Sequence, residues 1–99
     1  MDISAIQAEI DAALNAIQDK VRALRDTLQT HETELEVLVE ERERWLTRYQ
    51  EAANVRSKNI WRRRLFLNAV LKREAKRLIE AVGAELKEML DELQALCVE

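Results

Sequence analysis

Apolar side chains recur every three or four residues along the first half of the chain. Ile3, Ile10, Ile17, Leu24, His31, Leu38 and Trp45 follow one another at intervals of seven. Leu14, Val21, Leu28, Leu35, Arg42 and Tyr49 form a second series four residues later. A 3-4 spacing sustained over this many heptads belongs to a helix that presents one apolar seam to a partner helix. The pattern predicts helix 1 over about 3–54. Asp2 or Ser4 can cap its start, with Gln7 placed for a capping box with Ser4.

The second half keeps a seam of its own. Leu65, Ile79, Leu86 and Leu93 share one series, interrupted by Lys72, and Ala75, Val82, Met89 and Leu96 share the other, preceded by Asn68. Extending the first seam would select Arg63, Phe66, Val70, Arg73 and Arg77 instead. The two seams are out of phase by two residues, or about 200° around an α-helix. A stutter or stammer shifts a heptad by four or three residues, so neither accounts for the step. A bend in the chain does.

The stretch NVRSKN, residues 54–59, holds Asn54, Ser57 and Asn59, whose side chains compete for backbone hydrogen bonds and favour caps and turns. A turn is therefore expected at about 55–58, followed by helix 2 over about 59–97. Folded back on itself, the chain would pair Leu38 with Ile79, Leu35 with Val82, Leu28 with Met89, Leu24 with Leu93 and Val21 with Leu96. His31 would meet Leu86, a polar layer of the kind that fixes register in helical pairs. Arg42 would run its head outward past Ala75. The expected fold is all-α, a long antiparallel coiled-coil helical hairpin forming a single domain over 1–99.

Composition agrees with that reading. Ala, Glu, Lys, Leu and Arg supply 57 of the 99 residues, more than the roughly 50% typical of long helices. Proline is absent and Gly83 is the only glycine, which leaves few places for the chain to reverse. A lone cysteine, Cys97, makes no internal disulfide and fits a reducing compartment. It reads as an apolar contact near the end of helix 2. The N-terminus lacks the pattern of a signal peptide, and no apolar run approaches the roughly 18 residues of a membrane span. A cytoplasmic setting is the expectation.

In the register above, Ile3, Ile6, Ile10, Leu14 and Ile17 have no partner within the chain. Burying one such side chain stabilises by about 1.5–3 kcal/mol, so a second chain is expected to cover the stripe. Val39, Leu46, Leu71 and Leu78 widen the apolar arc near the turn, as a four-helix bundle of two hairpins requires. A homodimer is the simplest assembly.

Charge then singles out one region. Residues 56–77 carry nine basic side chains and one acidic one, while residues 1–55 and 78–99 carry net charges of −6 and −5. Aromatic and arginine side chains are enriched where interfaces are strongest. Trp61, Arg62, Arg63, Phe66, Leu67, Val70 and Arg73 are accordingly the candidate contacts for a macromolecular partner, most simply another protein. A nucleic acid is the alternative, held at its phosphates by Arg62, Arg63, Arg64, Arg73, Lys76 and Arg77. Structural pairing of the island with Glu36, Glu40, Glu41, Glu43 and Glu51 of helix 1 competes with both. Arginines and apolar residues are intermixed here rather than opposed, which counts against a membrane surface. One histidine and one cysteine far apart in the heptad map offer no nucleophile pair, and no Gly-rich phosphate loop or metal-ligand spacing occurs. The chain is expected to be a binding protein without cofactor or metal, an adaptor, scaffold or regulator rather than an enzyme.

Overall fold

A computed structural model describes residues 2–98 and the side chains of residues 2–96. Two helices account for nearly all of it, α1 over Ile3–Glu51 and α2 over Val55–Val98. No described residue is in a strand. The all-α helical hairpin expected from the two seams is the fold. The side chain of Cys97 lies outside the described residues.

The reversal comes earlier in the chain than expected. Residues 52–54 make it, and residues 55–58, the expected turn, already belong to α2. Hydrogen bonding explains the difference. The Ser57 amide, three residues into the new helix, donates to Asn54 Oδ1 at 2.8 Å, and the Lys58 amide donates to the Asn54 carbonyl at 3.0 Å. Asn54 is therefore the N-cap of α2, and Ser57 and Asn59 lie within the helix. On the other side, the Ala52 amide closes a last tight turn on the Tyr49 carbonyl at 3.3 Å. At the far end of α1, Asp2 rather than Ser4 is the cap, accepting the Ser4 amide at 3.0 Å.

The contacts group into two units, each described separately. Unit 1 joins Met1–Gln29 with Ala81–Glu99, and unit 2 is Thr30–Glu80. In unit 2 the turn and the helical segments on either side of it pack as a hairpin. Its seam follows the expected residues: Leu35, Leu38, Trp45 and Tyr49 of α1, with Leu65, Lys72 and Ile79 of α2, are half-buried, and Ala75 is buried; Trp61, which was not expected there, is half-buried with them. In unit 1, Val21 is buried and Leu24, Leu28, Leu86, Met89, Leu90 and Leu93 are half-buried.

Pairing across the seam differs from expectation. Asn68, with none of its surface exposed, donates from Nδ2 to the Leu38 carbonyl at 2.8 Å. Leu38 was expected to face Ile79. A groove of about 420 Å³ beside that contact is shared by Glu34, Val37 and Leu38 with Leu71, Ala75 and Leu78. In unit 1, Val21 shares a groove with Leu90 and Leu93, not with Leu96, which is exposed. In unit 2 helix 2 is slid by eleven residues, since Leu38 meets Asn68 where Ile79 was expected, and in unit 1 Val21 meets Leu90 and Leu93 in place of Leu96. The cause is the earlier turn. A slide of seven plus four residues exchanges one seam series of helix 2 for the other, so the seam is preserved while the partners change.

The slide also changes what is left uncovered. Leu14 and Ile17 are half-buried and leave the stripe assigned to them, whereas Ile3, Ile6 and Ile10 stay exposed. Arg42 is exposed rather than seated in the seam. Glu41 is half-buried in its place, beside Trp45 and Trp61 in a shared groove.

Two polar groups sit in the unit 2 seam without full satisfaction. Asn68 Oδ1 is buried and meets no donor among the described residues. His31 Nδ1 is likewise buried, 3.5 Å from Glu34 Oε2 but without hydrogen-bond geometry. Stranding a buried acceptor costs about 1–3 kcal/mol, while the single hydrogen bond of Asn68 returns about 1 kcal/mol. Asn68→Leu is expected to raise the unfolding free energy by about 1 kcal/mol in a denaturant titration. Gly83→Ala is expected to add about 0.5–1 kcal/mol, because a Cβ there meets nothing within 4 Å and the residue is helical.

Candidate functional site

Successive residues of an α-helix rotate by about 100°, so α2 carries two stripes on opposite sides. Trp61, Leu65, Asn68, Lys72, Ala75 and Ile79 turn toward α1 and make the seam. Arg63, Phe66, Val70, Arg73 and Arg77 repeat at the same 3-4 spacing half a turn away, and all five are exposed. These are the residues that an extension of the first seam selects. Phe66 has 69% of its surface exposed and Val70 45%, with Leu67 exposed beside them. Arg62, Arg63, Phe66 and Leu67 line a shallow hollow of about 480 Å³.

The cations of the island separate into two groups. Some are held within the hairpin. Arg62 donates to the Tyr49 hydroxyl at 3.3 Å, and its guanidinium lies 5.9 Å from the Tyr49 ring centre. The Lys58 ammonium is 5.9 Å from the same ring, and Arg64 stacks over Trp61 at 4.8 Å. Arg77 makes a two-pronged ion pair with Glu74, the one acidic residue of the island. That contact holds the Glu74 carboxyl below its ordinary pKa and raises the Arg77 guanidinium.

Arg63, Arg73 and Lys76 make no ion pair within 4 Å among the described residues. No ion pair among them joins the island to Glu36, Glu40, Glu41, Glu43 or Glu51 either. The pairs Arg22–Asp19 and Arg77–Glu74 each link residues three apart on one helix. The charge pairing across the hairpin that competed for these arginines is not made.

The two candidate residue sets are therefore only partly brought together. Of the partner-binding set, Arg63, Phe66, Val70 and Arg73 share the outer stripe, with Leu67 at its edge and Arg62 turned back to Tyr49. Trp61 is not on that face. It is half-buried in the seam and lines a groove with Glu41, Arg44, Trp45 and Arg48. Its place was readable from spacing, since it lies one heptad before Asn68. Of the phosphate set, only Arg63, Arg73 and Arg77 share a stripe. Arg62 lies close to Arg73 around the helix but is engaged with Tyr49, Lys76 lies at the edge of that face, and Arg64 stacks on Trp61. Of the residues expected to self-associate, Ile3, Ile6 and Ile10 are exposed and Leu14 and Ile17 are half-buried.

Tyr49 is the residue that sequence reasoning missed as an organiser of the site. It anchors Arg62 and Lys58 across the turn, and only the actual loop length brings these positions together. Among the described residues no cluster of His, Cys, Asp or Glu could hold a metal ion, and no helix is long and apolar enough to cross a membrane. Compared with family models, curated proteins and solved structures, the chain matches none.

The hydrogen bond and the charge of Arg62, with a smaller contribution from Lys58, lower the pKa of the Tyr49 phenol. Tyr49 is the only tyrosine, so an ultraviolet absorbance titration reads it directly. Its ionisation is expected below the ordinary phenol range in the native chain, and at higher pH in Arg62→Ala. An unchanged titration in that variant would contradict the contact.

Proposed function

We propose that this chain is a non-enzymatic, homo-oligomeric helical hairpin that acts as an adaptor, scaffold or regulator. It docks a macromolecular partner, most simply a protein, on the outer stripe of α2 in unit 2. What supports this reading is the exposure of Phe66 and Val70 between Arg63 and Arg73, which have no internal ion-pair partner. Apolar anchors supply affinity at such a surface, and rim charges supply orientation and selectivity.

A second reading rests on the same cations. Residues 56–77 carry a net charge of +8, and Arg63, Arg73 and Lys76 are available to phosphates. The acidic remainder of the chain and the apolar character of the stripe weigh toward protein.

A photo-reactive residue at Phe66 of the full chain, irradiated in the cells of origin, tests both readings. The docking reading expects a discrete protein adduct that is absent when the probe sits at Glu32. An adduct lost on nuclease treatment, with oligonucleotide affinity falling steeply as salt rises, would establish the phosphate reading instead. No adduct at Phe66 would contradict both.

A further inference from the structure

We infer that the occupant of the outer α2 stripe is an acidic amphipathic helix, namely the Ile3–Ile6–Ile10 segment of a second copy of this chain. The inference rests on the docking reading and names the partner.

Three observations carry it. The first is spacing. Arg63, Phe66, Val70, Arg73 and Arg77 repeat at 3-4 intervals, the spacing of a surface that receives another helix. Ile3, Ile6 and Ile10 repeat in the same way on α1. The second is exposure. Ile3 has 81% of its surface exposed, and Ile6 and Ile10 are exposed as well, so unit 1 leaves a short apolar stripe that α2 does not cover. The third is charge. Glu9 lies on one side of that stripe and Asp11 on the other, whereas Phe66 and Val70 have Arg63 and Arg73 on either side. An apolar strip flanked by carboxylates meets a Phe66–Val70 patch bracketed along the helix by arginines.

The same complementarity holds for whole units. Unit 1 contains ten acidic and four basic side chains, net −6. Unit 2 contains nine acidic and twelve basic, net +3. Like units repel and unlike units attract. Each copy supplies one stripe of either kind, and most soluble homo-oligomers are symmetric dimers. The joint is dry at its centre and charged at its rim, so the apolar contacts hold it and the charges choose its orientation.

A charge swap on the purified full chain tests this, read by sedimentation velocity over a concentration series. The native chain is expected to be a dimer. Arg63→Glu with Arg73→Glu, and separately Glu9→Arg with Asp11→Arg, should each weaken dimerisation by about tenfold or more. All four substitutions in one chain should restore it. Helicity by circular dichroism should be the same throughout, because every altered residue is exposed.

A native chain that is monomeric at all concentrations would overturn the inference, as would swaps with no effect or a combined swap that fails to restore the dimer. The Phe66 photo-probe separates this failure from that of the docking reading. An adduct of two copies of the chain supports the inference. An adduct with a different protein only overturns it and leaves the docking reading standing. No adduct removes both.

Discussion

The start of α2 leaves backbone amides without helical carbonyls to bond, and Asn54 supplies one of them through its side chain. That cap is where the hairpin is decided. It ends the reversal within residues 52–54 and fixes which residue of α2 meets which residue of α1. A cap at Ser57 or Asn59 would have slid the second helix along the first without exposing any seam residue on average. The apolar contacts of the seam supply most of the stabilisation, but they are periodic and so nearly indifferent to a heptad slide. Direction comes from the turn, and confirmation from the buried bond between Asn68 and the Leu38 carbonyl.

Polar groups inside a helical pair usually reduce stability while reducing the number of acceptable pairings. Asn68 fits that description, with one bonded amide hydrogen and one stranded oxygen. His31 is a second polar point in the same unit, packed close to Glu34. Together they give a repetitive seam two polar positions that favour one pairing over its neighbours. Gly83 has no comparable role, since a methyl group at its Cα would meet open space.

Much of this was readable from residue spacing alone. Two seams out of phase demand a reversal, and the seam residues Leu38, Leu65, Ala75 and Val82 follow directly from their heptads. The register was not readable, because shifting by seven leaves every apolar pairing plausible, and Asn54, Ser57 and Asn59 are all competent caps. The candidate site inherited that uncertainty. Phe66, Val70 and Arg73 were recoverable because they oppose the seam on α2 whatever lies across it. Trp61 was misplaced because its aromatic and cationic neighbours drew attention from its heptad position. Tyr49 escaped notice because its contact with Arg62 spans the turn, and exists only for this loop length.

Distances across unit 2 test the central claim most directly. With Cys97 replaced by Ser, spin labels at Val37 and Leu71 should be close, since both residues line one groove. Labels at Val37 and Glu80 should be clearly farther apart, and neither distance should change on dilution with unlabelled chain. Closer approach of the 37–80 pair would contradict the register set by Asn54. Loss of the short 37–71 distance on dilution would mean that α2 packs on another molecule, and the hairpin itself would fall.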